Sequence, residues 1–309
     1  MKIFIDGSAG TTGLRLAERL ARREDVDILR LPEEARKDPA RRKDALNSCD
    51  AAFLCLPDAA AREAVALLES ESVTILDTST AHRVAPGWVY GFPELSEAQR
   101  SAIRPGAHIA VPGCHASGFI ALVQPLVAAG LLPKESLISC FCITGYSGGG
   151  KSMIAQYQDE GRDRALDAPR QYALGQTHKH LPEMCAHSGI ATAPLFSPVV
   201  SDFYSGMVMT VPLFRSQLKP GFGPQDLRDC YREKYRGPVV RYVDAADEGG
   251  FLSAGVKSGW DGMEITVAGN EERILLLARY DNLGKGASGA ALQCMNLVFG
   301  LDETLGLNL

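Results

Sequence analysis

One of the eight cysteines stands where it could do chemistry. In Val111-Pro112-Gly113-Cys114-His115-Ala116-Ser117-Gly118-Phe119 an apolar run ends, Pro-Gly makes a sharp turn, and Cys114 meets the start of a long apolar helical pattern. A helix N-terminus stabilises a thiolate. Its first N–H groups also stabilise an oxyanion on an acyl group under attack. Cys114 is therefore expected to carry an acyl group covalently. The others, Cys49, Cys55, Cys140, Cys142, Cys185, Cys230 and Cys294, are scattered through mainly apolar segments without a CxxC pair. They read as reduced thiols of a cytosolic protein.

A thiolate nucleophile needs a proton partner. The segment Thr177-His178-Lys179-His180-Leu181-Pro182-Glu183 offers two histidines. If it is extended, His178 and His180 share a face, and Pro182 suits the first turn of a following helix. Either histidine could be the acid/base. The HxH spacing also resembles a zinc motif, but the remaining ligand types are scattered, so no metal is expected.

Two glycine loops compete for a nucleotide. Gly7-Ser8-Ala9-Gly10-Thr11-Thr12-Gly13 follows an apolar strand and opens an amphipathic helix. A tight turn and free helix N–H groups together cradle a pyrophosphate. Gly7, Ala9, Gly10, Thr11, Thr12 and Gly13 are the expected contacts. A binder of NAD usually ends its second strand on Asp or Glu; here Arg30 stands there and would attract a 2′-phosphate, which favours NADP. The second loop, Gly145-Tyr146-Ser147-Gly148-Gly149-Gly150-Lys151-Ser152, fits GxxxxGK[ST], the phosphate loop of ATPases. A nucleotide loop already stands upstream, and no apolar strand ending in Asp is expected after it. A glycine-rich active-site loop is the preferred reading: Gly148 and Gly149 would lie near the cofactor, with Ser147 and Lys151 near substrate.

The elements that must position these groups follow from periodicity. Strands over Lys2–Asp6, Val26–Leu31, Ala51–Leu56, Val73–Asp77 and His108–Val111 alternate with helical patterns such as Leu14–Arg23 and Ala60–Leu68. That spacing means a parallel sheet with right-handed crossovers. After Cys114 come a helix near Phe119–Leu132, strands over Leu137–Thr144, Gly206–Val211 and Ile274–Ala278, and a closing helix over Gly286–Asn296 that could return to the first domain. The expected division is 1–115 with 287–309 as an NADP-binding domain, and 116–286 as a catalytic and oligomerisation domain, with Cys114 at their junction. Lys37–Lys43 reads as an exposed loop. The chain is 46% hydrophobic and 22% charged, as soluble globular proteins are, and its net charge of -5 offers no surface for nucleic acid. No stretch approaches the ~20 apolar residues of a membrane helix.

An ordered set of segments resembles the N-acetyl-gamma-glutamyl-phosphate reductase family in its shorter form. It runs from Asp6–Gly13 through Cys55–Ala60, Asp77–Arg83, Trp88–Leu95, Val111–Cys114, Gly145–Ile154 and His178–Glu183 to Gly286–Asn296. The resemblance implies an α/β fold: a Rossmann-type parallel-sheet domain and an α+β catalytic and dimerisation domain of the semialdehyde dehydrogenase type. It implies NADPH-dependent reduction of N-acetyl-glutamyl phosphate through a Cys114 thioester, with His180 preferred over His178. Ser79 would join the cofactor contacts, and Lys151, Arg83 and Ser147, with Arg164 further off, those to substrate. A homodimer or homotetramer in the cytoplasm would follow. The alternatives are a sister reductase acting on aspartyl or aminoadipyl phosphate, or a P-loop ATP-binding protein.

Overall fold

A computed structural model describes residues 1–309. The chain forms two compact units, Met1–Gly113 with Ala287–Leu307, and Cys114–Gly286 with the last two residues.

The first unit opens with β1 (Lys2–Asp6), α1 (Thr11–Leu20), β2 (Asp27–Leu29), α2 (Pro39–Asn47), β3 (Ala51–Leu54), α3 (Asp58–Ala66), β4 (Thr74–Asp77), β5 (Val89–Tyr90), α4 (Glu97–Ala102) and β6 (His108–Ala110). All six strands are parallel in the order β2-β1-β3-β4-β6-β5. The central strands β3 and β4 are buried throughout, which is why they read as nearly unbroken apolar runs. Ile3 and Ile5 of β1 pack with Leu16 and Leu20 of α1 on one face. Phe4 packs with Ala45 and Leu46 of α2 on the other. The sheet order reverses between β2 and β3, so the switch point lies beyond the ends of β1 and β3.

Lys37–Lys43, expected as a loop, instead carries the start of α2. Asp38 is its N-cap, accepting N–H bonds from Ala40 at 2.9 Å and Arg41 at 3.4 Å. Pro39 occupies the first helical position, where its missing N–H is harmless. A capping signal within a charged stretch was taken for loop composition. The helix matters because it delivers Arg42 to Asp6, 2.8 Å away and almost equally buried.

The second unit comprises α5 (Cys114–Ala128), β7 (Ser139–Gly145), α6 (Gly150–Gln158), β8 (Arg170–Gln171), α7 (Leu181–Ser188), β9 (Leu195–Ser201), β10 (Met207–Phe214), α8 (Pro224–Lys234), β11 (Val240–Tyr242), β12 (Met263–Gly269) and β13 (Arg273–Tyr280). Its mixed sheet runs β11-β12-β13-β10-β7-β9-β8. The buried helix α5 lies against β10 and β13 and touches α7 and α8. Pro125 within α5 cannot donate to the Ala121 carbonyl. Tyr235, just past α8, donates its hydroxyl there at 2.7 Å, and Tyr231 of α8 does the same for the Leu122 carbonyl. The helix thus stays buried without orphaned carbonyls. The chain then returns to the first unit as α9 (Gly289–Val298), whose Ala290, Ala291, Leu292 and Met295 pack on the β1–α1 face.

The Asp6–Arg42 pair yields a test. Burial raises the Asp6 pKa, while Arg42 opposes that rise. Removing one partner of a buried pair costs about 3–5 kcal/mol. Arg42→Met should be destabilised by about that much at pH 8 and by less at pH 4. An unpaired Asp6 takes up a proton in the folded state, so the penalty shrinks as pH falls through its raised pKa. Urea unfolding at the two pH values checks this; an equal loss at both would count against it.

Candidate active site

Cys114 is the first residue of α5 and is partly exposed. The Gly118 N–H donates to the Tyr280 hydroxyl at 3.2 Å. That hydroxyl in turn donates to the Cys114 carbonyl at 2.6 Å. A fully buried phenol from the end of β13 thus braces the first turn. The loop after β13 also approaches closely: a Cβ on Gly286 would lie 2.9 Å from the Cys114 Cβ. That loop is organised by buried Asp281, whose carboxylate accepts from Ser205 Oγ at 2.9 Å and from the Leu283 N–H at 2.6 Å.

The thiol lies among histidines. His115 Nδ1 is 3.4 Å from Cys114 Sγ, and its Nε2 is 2.8 Å from the Tyr172 hydroxyl. Burial above all, then nearby His178 and Lys179, pushes the His115 imidazole down to about 3, so it is neutral. Burial raises the Tyr172 phenol, which keeps its proton. A ring nitrogen of His180 lies with Cys114 Sγ and a His115 nitrogen in one group, all within 4.8 Å of one another. His180 Nε2 is 3.9 Å from the buried Glu183 carboxylate. His178 also packs here, its ring centroid 4.7 Å from that of His180, but its Nδ1 accepts the His180 backbone N–H at 3.1 Å.

The HxH segment is not extended as expected. His180 has helical backbone angles (φ -87, ψ -12) and caps α7. The two rings meet because the chain turns, and not because alternate residues share a strand face. Pro182 does sit in the first turn of that helix. Other cysteines differ from Cys114 in setting: burial raises Cys49 to about 11 and both Cys55 and Cys140 to about 12, keeping them protonated.

The glycine-rich loop of residues 145–152 is knitted to protein rather than open to a phosphate. The N–H groups of Tyr146 and Ser147 donate to the carbonyls of Phe203 and Tyr204, both at 2.9 Å. The buried Ser147 hydroxyl accepts from Asn282 Nδ2 at 3.0 Å. Gly148 and Gly149 lie in a short 3-10 turn, and Lys151 is exposed in the first turn of α6. An apolar strand followed by Asp does come later, contrary to the sequence reading: β9 runs parallel to β7 and is followed by Asp202. The Asp202 carboxylate is held by Arg162 at 2.6 Å. For the phosphate-loop reading, the N–H groups of Tyr146 and Ser147 are already bonded, and the acid is already paired.

In the first unit, Gly7–Gly13 turns at the sheet's switch point. Gly7 has φ +83, and a Cβ there would lie 2.3 Å from the Cys55 carbonyl. Gly10 is the N-cap of α1 and offers it no side-chain cap. The Thr11 hydroxyl is buried without a hydrogen-bond partner. Next to the loop is a cavity of ≈ 360 Å³ lined by Gly7, Ser8, Ala9, Arg30, Arg36 and Lys37 among others. Capless helix N–H groups, an orphaned hydroxyl and three cations fit a phosphorylated nucleotide. Sequence reasoning singled out Arg30 but missed Arg36 and Lys37. The Ser79 hydroxyl is engaged by Asp77 at 2.7 Å. Arg83 is buried and donates to the carbonyls of Val111 and Thr78, both at 3.0 Å. Arg164 is exposed in a 3-10 turn.

Comparison with known proteins agrees with this architecture. Residues 2–103 match the family model for the semialdehyde dehydrogenase NAD binding domain, and residues 114–282 that for the semialdehyde dehydrogenase dimerisation domain. The N-acetyl-gamma-glutamyl-phosphate reductase 2 of Nostoc sp. is 45% identical, covering 99% of both chains. The N-acetyl-gamma-glutamyl-phosphate reductase of Sinorhizobium fredii is 45% identical over 96% of this chain and 98% of its own. The chain belongs to the semialdehyde dehydrogenase family, with the N-acetyl-gamma-glutamyl-phosphate reductases. The fold is shared more widely. Aspartate semialdehyde dehydrogenase from Francisella tularensis superposes with TM-score 0.72 at 14% identity, covering 96% of this chain and 99% of its own. The Candida albicans enzyme, solved with NADP, gives 0.67 at 14%, covering 96% and 97%.

Within this semialdehyde dehydrogenase, sequence reasoning did not assign a role to His115, Tyr172 or Tyr280. His115 adjoins Cys114 in sequence and could have been found from that. Tyr172 and Tyr280 carry no local signal. Tyr280→Phe removes two hydrogen bonds, but the Gly118 N–H and the Cys114 carbonyl stand in the i to i+4 relation of a helical turn and can satisfy each other, so the stability cost should be only about 1 kcal/mol. The thiol would shift, and a displacement near 1 Å can cost about 100-fold in rate. The expected result is a loss of kcat by roughly 10–100-fold with a nearly unchanged urea midpoint; full activity would refute the positioning role.

Proposed function

We propose that the protein reduces N-acetyl-L-glutamyl 5-phosphate to N-acetyl-L-glutamate 5-semialdehyde with release of phosphate, a step of arginine biosynthesis, using NADPH. The observation that carries this reading is Cys114, a partly exposed thiol at a helix N-terminus among histidines. The name shared by the 45% identical relatives supplies the substrate.

The Cys114 thiolate attacks the acyl carbon, the C–O bond to phosphate breaks, and a thioester remains. Bound NADPH supplies the hydride that reduces the thioester carbonyl. The C–S bond then breaks, the aldehyde leaves and the thiolate returns. The start of α5 faces the oxyanion that forms at each addition. His115, neutral and held by Tyr172, hydrogen-bonds the sulfur and orients it. His180 is the acid/base, because it is the histidine of the pair that groups with the thiol. His178 supports it through the bond to its backbone N–H. Of the groups expected to bind substrate, Lys151 remains exposed and available, while Ser147 and Arg83 already hold protein atoms and so shape the surroundings.

Gly7, Ala9, Gly10, Thr11, Thr12 and Gly13 would hold the pyrophosphate, with Arg30, Arg36 and Lys37 taking the 2′-phosphate. Gly148 and Gly149 remain candidates for close approach to the cofactor, and Ser79 for fixing the loop beside it. The first unit is accordingly the NADP-binding domain and the second the catalytic one. A homodimer or homotetramer would use the sheet face that leaves Leu137, Leu195 and Phe214 exposed at 75%, 60% and 62%. A cytoplasmic location suits eight cysteines that are all free. No helix is long and apolar enough to cross a membrane.

The assay runs in reverse, with N-acetyl-glutamate semialdehyde, phosphate and NADP, following reduced cofactor. Cys114→Ser should abolish turnover. His180→Asn should lower kcat by about 100-fold or more, within the range of a lost acid/base, and His178→Asn by less. Equal activity in Cys114→Ser, or a larger effect at His178, would reject the assignments. Reversing the charge at Arg30 should shift the NADP-over-NAD preference toward NAD by about tenfold or more, as loss of a charge-assisted phosphate contact requires. An unchanged preference rejects that role.

A further inference from the structure

The two histidines of the HxH segment do not form a metal pair with each other. The fold instead assembles a different set: Cys114 Sγ, one nitrogen of His115 and one of His180, mutually within 4.8 Å. We propose that this group binds a soft divalent cation, zinc above others, and that the ion is a reversible inhibitor of the enzyme. The binding stands on the geometry alone; its effect on turnover rests on the reductase reading.

Donor chemistry and spacing both suit zinc. Thiolate and imidazole are both zinc donors, and three protein ligands leave a fourth position open. Zn–S near 2.3 Å and Zn–N near 2.0–2.1 Å place tetrahedral donors about 3.4–3.6 Å apart. Cys114 Sγ and His115 Nδ1 already stand 3.4 Å apart. The third donor needs a side-chain movement of about 1 Å to meet that spacing.

The surroundings are those of a metal site as well. Metal-bound histidines are usually oriented by a hydrogen-bond partner on the other nitrogen. His115 has one, the Tyr172 hydroxyl 2.8 Å from Nε2. His180 has a carboxylate near Nε2, Glu183 at 3.9 Å. Both histidines are about 95% buried, at 4% and 5% exposure, and Glu183 is 1% exposed. A dication beside a thiolate and a buried carboxylate is electrically balanced, which removes the main cost of burying it. With zinc bound, Cys114 Sγ is a ligand and cannot attack an acyl phosphate. No bond is made or broken in the protein beyond coordination, and a chelator reverses it.

The test uses the full chain, reduced and metal-free. Titration with Co²⁺ should give a thiolate-to-metal charge-transfer band and tetrahedral visible bands that saturate at one ion per chain. Zn²⁺ should displace them. Cys114→Ser should lose the charge-transfer band. His115→Asn and His180→Asn should each weaken binding by at least tenfold, and Tyr172→Phe by about tenfold, the lower end for loss of an orienting partner. If a variant misfolds, the wild type gives the same information: one equivalent of Zn²⁺ should slow iodoacetamide alkylation of the Cys114 peptide, followed by mass spectrometry, at least tenfold. In the reductase assay Zn²⁺ should inhibit and EDTA restore the rate. An active enzyme without the Co²⁺ band, a band that survives in Cys114→Ser, or alkylation of Cys114 unaffected by Zn²⁺ overturns the proposal. A wild type with the Co²⁺ band but no reductase activity supports the site and overturns the functional reading.

Discussion

The first turn of α5 is the constraint on which the candidate site depends. A buried helix of 15 residues begins at Cys114, and that first turn must hold its position. Tyr280 braces it: its hydroxyl donates to the Cys114 carbonyl and accepts from the Gly118 N–H. Tyr235 and Tyr231 do the equivalent service further along, where Pro125 interrupts the ladder. Three phenols, each buried, thus hold one helix. Polar groups at these places are tolerated because each is satisfied, and a satisfied buried hydroxyl specifies geometry more narrowly than an apolar contact does.

The nucleotide cradle follows a different logic. Strand order reverses between β2 and β3, which opens a crevice at the strand ends whatever the side chains are. The sequence then needs only to keep that crevice clear. Gly7 does so by lacking a Cβ beside the Cys55 carbonyl, and Gly10 does so by leaving α1 without a side-chain cap. The absence of a cap is a local cost to the helix, of the order of 1 kcal/mol relative to a Ser or Asp cap. It leaves N–H groups for a ligand. The same reasoning separates this loop from residues 145–152, where the Tyr146 and Ser147 N–H groups are bonded to the carbonyls of Phe203 and Tyr204.

The histidines show how a motif can be right in content and wrong in geometry. His178 and His180 do meet near Cys114, but through a turn leading into α7. That turn gives them different roles, since the backbone N–H of one bonds the ring of the other. His115 completes the group from the neighbouring position on α5. Its neutrality has a consequence for stability: with a folded pKa near 3, below the ordinary 6.5, it binds fewer protons folded than unfolded. It therefore withdraws stability as pH falls below about 6.5.

The sequence alone determined the class of fold, and it marked out the glycine turn after β1 and the cysteine at the start of α5. Those features are local: a strand, a glycine turn and a helix start are written in consecutive residues, and Pro112-Gly113-Cys114 needs no distant partner to be read. The capped start of α2 was equally local, in Asp38-Pro39, and was hidden only by its charged surroundings. Tertiary structure alone decided which histidine groups with the thiol, that Tyr280 braces the first turn of α5, that Tyr172 bonds His115, and that the second glycine loop is tied to the Phe203–Tyr204 turn. Each of those depends on contacts between residues tens to more than a hundred positions apart in the chain, such as Cys114 with Tyr280, separated by 166. Spacing along a chain carries no record of such contacts until the sheet and its helices bring them together.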